Sequence, residues 1–337
     1  MTRLASTQNV SRFGRRPDRT CLLVIVHAAK SLLLLAVFLS FLVGTSFVRA
    51  ADAVPLRAHL VRATDPRAVR FLTPDDRRVR QLLNAALLQY TGAQNVASAW
   101  KKIVLPTDRI GIKIYTASGP VMATRPALVE AVIDGLELAG VPRARNVVFD
   151  RYAPPMEDAG YSLGKRKDGV TFTATVPRAG YDPKALIDWG IPGKLIWGDL
   201  EFNGKAPETD EQLSTQSHFS RILTQQVDKI INIPVLITDP DFGLYGCLLN
   251  SSISMADNDR RFRRGSVTRD DSLIKLFAAP VVRKKCVLHI LDALIAQSGH
   301  DQASAQMLVK LVMLGVETGN EKALVQIFRV LKSPNKQ

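Results

Sequence analysis

Helical and strand-like patterns of apolar residues alternate in the first half of the chain. Apolar positions at helical spacing follow Pro74-Asp75-Asp76 and predict a helix to about Tyr90, which Gly92 ends. A second, short helix is predicted over Gln94–Ile103. The apolar run Arg109–Tyr115 predicts a central strand, because a strand that is covered on both faces loses the usual alternation.

The clearest unit along the chain is a strand, a helix and a second strand. After Arg109–Tyr115, Thr124 is predicted to cap a helix that tolerates Pro126 in its first turn and runs to Ala139. Asn146–Phe149 is the second strand. Such a βαβ unit implies parallel strands, which are neighbours or near neighbours in one sheet. The predicted fold class is therefore α/β, with a mainly parallel sheet and βαβ crossover helices.

Further strands and a helical tail are predicted in the second half. Val170–Val176 alternates as an edge strand would, Val227–Leu236 is a buried strand that ends near Pro234, and Cys286–Leu294 is another strand. Residues 303–332 have the pattern of two amphipathic helices. The α/β domain is predicted over residues 54–296 and a divergent helical tail over residues 297–337.

The N-terminal 50 residues have the pattern of a targeting segment. A basic stretch precedes the apolar run Ser31–Val48, and small residues allow cleavage behind Ala50 or Ala53. This predicts a signal peptide and a secreted protein, placed in the bacterial periplasm. The alternative is an uncleaved anchor in the inner membrane, because Leu22–Val48 is long enough to span a bilayer.

Composition and charge narrow the classes of partner. The chain is 46% hydrophobic and 23% charged, which is typical of a globular protein rather than a disordered one. Seven basic residues and one acid in residues 1–50 account for +6 of the +14 net charge, which leaves +8 on the remainder. That excess suits an anionic ligand or a membrane surface. No basic stripe is interleaved with aromatics, so a nucleic-acid partner is not expected, and a membrane is expected only through residues 22–48 if they are uncleaved.

Two cysteines remain once the leader is set aside. An oxidising compartment would permit a disulfide between Cys247 and Cys286, and two separate buried thiols are the favoured alternative. Because iron–sulfur clusters usually take four ligands, no such cluster is expected. The histidines, including His218 and His289, show no metal-ligand spacing. The sequence leaves the cofactor unknown.

Several short sequence words occur in one order and resemble the "domain of unknown function 362" family over about residues 60–296. They are Trp100, Asp108–Lys113, Thr124–Val129, Asp150-Arg151, Lys229–Leu236 and Val287–Leu294. The resemblance implies an α/β fold and export by a bacterium. Some members of that family carry iron–sulfur motifs that this chain lacks, and the family's biochemical role is poorly defined.

The chain departs from that family's pattern at polar positions. Tyr115 stands where an Asn is usual, Ile237 and Asp239 stand where Lys and His are usual, and Leu249 replaces a Lys. The family's last words, a Gly-Gly-Pro turn and Asp-Pro-Val-Ala, do not follow Ala296. These departures favour a non-catalytic relative of an enzyme.

A candidate site follows from the rule that ligands of open α/β sheets bind beyond the carboxyl ends of the strands. The polar residues that this rule selects are Lys113, Asp150, Arg151, Asn232, Asp239, Asn250 and Asp292. A lysine could hold an anion, and the carboxylates could bind a hard cation or act as acid and base. The alternative is that they are strand-end caps and one ion pair. Gly160–Gly164 fits the Gly-x-Ser-x-Gly pattern but lacks the strand before and helix after that a nucleophile elbow needs.

Two hypotheses of function remain. The sequence does not decide whether the protein is an enzyme. The first is an exported α/β protein that binds an anionic small molecule or a metal ion at the carboxyl edge of the sheet. The second is a non-catalytic binding or scaffold protein, an eroded relative of an enzyme.

Overall fold

The computed structural model describes residues 58–202, 213–239, 243–262, 269–297 and 310–316, which belong to the unit that begins at Leu56. The predicted leader, its cleavage positions and most of the predicted tail lie outside these residues. Within the described ranges, no helix is both long and apolar enough to cross a lipid bilayer.

The strands of the described residues form one large sheet and two small antiparallel pairs. Their bounds are β1 Ala58–Ala63, β2 Val69–Arg70, β3 Thr73–Pro74, β4 Ile110–Lys113, β5 Asn146–Tyr152, β6 Gly164–Lys165, β7 Thr171–Val176, β8 Tyr181–Lys194, β9 Leu213–Ser220, β10 Lys229–Asn232, β11 Val235–Asp239, β12 Gly243–Tyr245, β13 Cys286–Gln297 and β14 Lys310–Val316.

The large sheet has the order β1-β14-β13-β10-β4-β5-β7-β6, and β11 pairs with both β13 and β12. Its centre is parallel, since β13, β10, β4, β5 and β7 all pair in parallel, while the antiparallel strands β14 and β6 flank it. The strands β4 and β5 pair directly, with Ile110 opposite Asn146. The predicted α/β class and the predicted parallel neighbours are therefore confirmed.

The α-helices of the described residues are α1 Asp76–Thr91, α2 Val96–Lys101, α3 Pro126–Leu138, α4 Ala153–Asp158, α5 Cys247–Asn250, α6 Arg269–Ala278 and α7 Pro280–Arg283. The Asp75 side chain accepts a hydrogen bond from the Arg78 amide and begins α1, and Gly92 ends it at a positive φ of 61°. Both boundaries agree with the sequence pattern.

Apolar side chains cover both faces of the central strands. The helices α1 to α3 pack on one face around Trp100, together with Ile112 and Ile231. The other face holds a second cluster with Phe149 and Ile230, against which α6 and α7 pack. Two covered faces explain why β4 and β10 read as continuous apolar runs in the sequence.

Four details of the predicted elements are wrong. Val170–Val176 alternates as an edge strand would, but β7 lies between β5 and β6 because the short strand β6 pairs with its outer side. The run Val227–Leu236 is two strands, β10 and β11, because Pro234 has no amide hydrogen for the ladder and interrupts the run after Asn232. Lys310–Val316 is strand β14 rather than helix. Thr124 does not cap α3, since its Oγ donates to the Ile233 carbonyl instead.

A close contact between α3 and α2 gives a prediction for stability. A Cβ added at Gly135 would lie 2.7 Å from Cε2 of Trp100, whose ring is fully buried. Replacing a helical glycine by alanine usually stabilises a helix by about 1 kcal/mol. We expect Gly135→Ala to lower the free energy of unfolding by about 1–3 kcal/mol instead, because the core is overpacked. Urea denaturation would measure the change.

The matched control for that prediction is the same alanine in a Trp100→Leu background, where the smaller side chain leaves room for the added methyl group. The alanine should then cost less than it does beside Trp100. An equal cost in both backgrounds would contradict the steric explanation.

Candidate functional site

Lys113 lies at the carboxyl end of β4 and is fully buried. Its Nζ donates to the Ile114 carbonyl at 2.7 Å, to Asp150 Oδ1 at 2.7 Å and to Asn250 Oδ1 at 3.0 Å. Burial lowers the pKa of Lys113 from its usual value, and the charge of Asp150 opposes that effect. Three oxygen acceptors match the three donors of an ammonium group, so the protein uses every N–H of this lysine.

Asp150 lies near the end of the neighbouring strand β5 and is equally well bonded. Its Oδ1 also accepts the Arg151 amide at 2.7 Å, and its Oδ2 accepts the amide of Thr116 at 2.8 Å and the hydroxyl of Thr116 at 2.7 Å. The register of β4 and β5 places Lys113 opposite Phe149, one residue before Asp150. The parallel pairing therefore builds a buried ion pair that also holds the start of the loop after β4.

Asn250, Asn232 and His289 extend this buried network into the next strands. Asn250 Nδ2 donates to Asn232 Oδ1 at 2.8 Å, and Asn232 Nδ2 donates to the Cys247 carbonyl at 2.8 Å. The same Nδ2 lies 2.9 Å from Nδ1 of His289. Burial lowers the pKa of His289 to about 4, so its ring is neutral near pH 7. We call these five residues, Lys113, Asp150, Asn250, Asn232 and His289, the buried polar network.

Arg151, the residue after Asp150, lines a cleft rather than the buried polar network. Its Nη1 lies 3.1 Å from Asp259 Oδ1 and its Nη2 lies 3.5 Å from Asp199 Oδ1. The residue is 8% exposed, and its Nε is buried with no hydrogen-bond partner within the protein. A buried donor without a partner costs free energy, so this nitrogen lowers the stability of the site.

The cleft has a volume of about 670 Å³ and lies beyond the carboxyl ends of β4 and β5. We call it the edge cleft. Asp239, at the end of β11, also lines it. Its lining comprises Tyr115, Thr116, Ala117, Asp150, Arg151, Tyr152, Pro155, Ile196, Asp239, Leu249, Ile253, Ser254, Asp259 and Arg260.

Among the predicted site residues, Asp292 alone belongs neither to the buried polar network nor to the lining of the edge cleft. Its Oδ2 accepts the amide of Arg125, the N-cap residue of α3, at 2.9 Å, and its Oδ1 accepts the Leu294 amide at 3.1 Å. Burial raises the pKa of Asp292. This carboxylate holds a helix start on the sheet, which matches the structural alternative that the sequence left open.

Both cysteines of the described residues are free thiols, and burial raises the pKa of each to about 12. The disulfide alternative for Cys247 and Cys286 is therefore not formed in the structure. Protonated thiols of this kind are poor nucleophiles and poor metal ligands.

Two carboxylates that the sequence analysis missed hold the loops from which Ile196 and Asp259 line the edge cleft. Asp199 accepts the amides of Ile196 at 2.8 Å and Asn258 at 3.0 Å, and Asp257 accepts the Leu200 amide at 3.0 Å. These carboxylates join two loops that are far apart in sequence. The run Asp257-Asn258-Asp259, typical of a turn, was the available signal, but it stands before a basic stretch that reads as a solvated loop.

Two other motif questions are answered within the described residues. No group of three or more His, Cys, Asp or Glu side chains is arranged there to hold a metal ion. The Gly160–Gly164 segment follows helix α4 and leads into strand β6, the reverse of the order that a nucleophile elbow needs. Its rejection as a hydrolase motif is confirmed.

Comparisons with known proteins add little to this geometry. No protein-family model matches the chain, and no curated protein matches it. The resemblance to the "domain of unknown function 362" family therefore stays a prediction.

Solved structures with weak similarity include a protein from Thermotoga maritima and the lactate racemase apoprotein from Thermoanaerobacterium thermosaccharolyticum. The first has a TM-score of 0.41 at 9% identity, with 78% of this chain and 60% of that chain covered. The second has a TM-score of 0.41 at 10% identity, with 81% of this chain and 62% of that chain covered. The match thus spans less than two thirds of each structure, and at this similarity neither supports an argument about function.

Proposed function

We propose that this protein binds a small organic anion in the edge cleft and does not act on it chemically. The observation that carries the proposal is the pair of neighbouring arginine positions in the cleft lining, the largely buried Arg151 and the exposed Arg260. Charge-assisted hydrogen bonds from arginine to a carboxylate or phosphate are among the strongest in proteins. The cleft volume of about 670 Å³ is within the range of small-molecule sites.

The balance of charge in the cleft also favours an anion that carries a hydrogen-bond donor. Lys113 offsets the charge of Asp150, and Arg151 pairs with Asp259. Arg260, an exposed residue at the cleft, adds a further positive charge. Asp239 supplies an acceptor for a hydroxyl or ammonium group on the same ligand.

The proposal favours binding over catalysis because the reactive groups beneath the cleft already have partners. The Nζ of Lys113 donates three hydrogen bonds, and Nδ1 of His289 lies at hydrogen-bond distance from Asn232. A lysine nucleophile or a histidine base would need a free position facing the ligand. The proposal includes export of the protein, on the pattern of residues 1–50 alone.

A binding screen with a rim variant tests the proposal. We expect a thermal-shift screen of carboxylates and phosphates to find a ligand, and Arg260→Ala to weaken it about tenfold in calorimetric titration, as the loss of one charged hydrogen bond would. The matched control is Arg77→Ala, an exposed arginine on α1 outside the cleft. Equal affinity in Arg260→Ala and the unmodified protein, or no ligand tighter than about 1 mM, would contradict the proposal.

A further inference from the structure

The hairpin of β2 and β3 ends in two exposed apolar residues. Arg70 pairs with Thr73, so Phe71 and Leu72 form a two-residue turn. Phe71 is 93% exposed and Leu72 is 53% exposed. The base of the hairpin is firmly packed, since Ala68 and Val69 belong to the hydrophobic core. The turn is thus a rigid apolar projection, which we call the Phe71–Leu72 tip.

Both residues of the tip have a backbone conformation that disfavours large side chains. Phe71 has a φ of 48° and Leu72 a φ of 66°. Two-residue turns of this kind prefer Asn-Gly, because a positive φ brings a side chain close to its own backbone. Two strained apolar residues, one almost fully and one half exposed, contribute little to folding. Strain of this kind, held in place by a packed base, is a reason to look for a function.

The sequence on both sides of the Phe71–Leu72 tip is rich in arginine. Residues 60–80 contain six arginines and three aspartates. Arg67, Arg78 and Arg80 form ion pairs with aspartates, while Arg62, Arg70 and Arg77 are exposed. Apolar side chains flanked by arginine fit the boundary of an anionic bilayer, where the apolar groups enter the interface and the arginines meet lipid phosphates. We propose that the tip docks on an anionic lipid surface.

The position of the tip in the chain is compatible with such a contact. The predicted apolar segment ends at Val48, and β1 begins at Ala58. Ten residues of extended chain span at most about 35 Å. The linker length therefore allows the start of β1 to lie within about 35 Å of a membrane that holds that segment.

Tryptophan fluorescence in the full chain tests the contact directly. Phe71→Trp keeps an aromatic side chain at the tip. In the presence of phosphatidylglycerol vesicles with brominated acyl chains, the tryptophan fluorescence of this variant should be quenched more strongly than that of the unmodified protein. The matched control is Leu105→Trp, at a residue that is 56% exposed. Leu105 follows Lys102, whose Nζ donates to the carbonyl of Thr91 at the C-terminal end of α1. That end is about 24 Å from the start of α1, which follows the hairpin.

Three results would overturn the proposal. The first is no additional quenching of the Phe71→Trp fluorescence, and the second is equal quenching in vesicles of phosphatidylcholine alone. The third is a blue shift of the tryptophan emission that appears at high protein concentration without vesicles. The last would point to a second copy of the chain as the partner.

A second variant separates docking from folding. Phe71→Asn with Leu72→Gly gives the turn its preferred residues, so the melting temperature should stay the same or rise. In the unmodified protein, vesicles should slow hydrogen exchange of the backbone amides at the tip. The same variant should show no such slowing. A clear fall in melting temperature would show that the tip stabilises the fold, and it would overturn the proposal.

Discussion

We expect Lys113→Met to lower the free energy of unfolding by about 3–5 kcal/mol, because it leaves the buried carboxylate of Asp150 without its ion-pair partner. Methionine fills a similar volume, so the loss reports the charge rather than a cavity. Asp150 keeps its bonds to Thr116 and to the Arg151 amide, but none of these carries a full positive charge. Urea denaturation at pH 7 would measure the difference.

The matched control for that variant is Lys102→Met, at an exposed lysine whose Nζ donates to the Thr91 carbonyl. That change should stay within about 0.5 kcal/mol. A loss below about 1 kcal/mol at Lys113 would show that the buried polar network contributes little to stability. It would also reopen the possibility that this lysine serves a ligand.

The second large effect concerns acid stability and His289. Burial lowers the pKa of His289 to about 4, whereas an unfolded histidine has a value of 6.5. The unfolded chain therefore binds the proton more tightly than the folded protein does. The stabilising contribution is complete above about pH 6.5 and is lost as the pH falls towards 4, which amounts to about 3 kcal/mol.

His289→Gln should remove that part of the acid sensitivity, because an amide does not titrate and can still accept a hydrogen bond from Asn232. The measurement is the free energy of unfolding of both proteins from pH 7.5 to pH 4, and parallel curves would contradict the prediction. His218 does not produce the same loss. Burial lowers its pKa, but the hydrogen bond and the charge of Asp257 outweigh that effect and raise it. Its contribution is present below pH 6.5 and is lost as the pH rises.

The local pattern of the chain was sufficient for the centre of the fold. The apolar run around Ile112, the periodicity of α3 and the second apolar run at β5 predicted a parallel βαβ unit. Short connections leave few other arrangements for two buried strands and a crossover helix. The rule for the carboxyl ends of strands then selected Lys113, Asp150, Asn232 and Asn250, which the structure joins by hydrogen bonds.

The roles of those residues required the tertiary structure. Whether a buried lysine is available depends on how many oxygens surround its Nζ, and two of those three come from Asp150 and Asn250, which are distant in sequence. The same holds for Asp292 of β13, which accepts the amide of Arg125, the N-cap residue of α3. Sequence spacing does not reveal such partners, because the sheet order decides which strand ends become neighbours.

The sequence by itself therefore determined the α/β class, the central parallel strands and the group of polar residues at one edge, since these follow from local periodicity and strand direction. Only the tertiary structure decided that this group is largely bonded to itself and that Arg151 faces a cleft. Asp199 and Asp257 join loops from separate parts of the chain, and these loops contribute lining residues to that cleft. Contacts between distant segments depend on the packing of the whole sheet, and no local pattern encodes them.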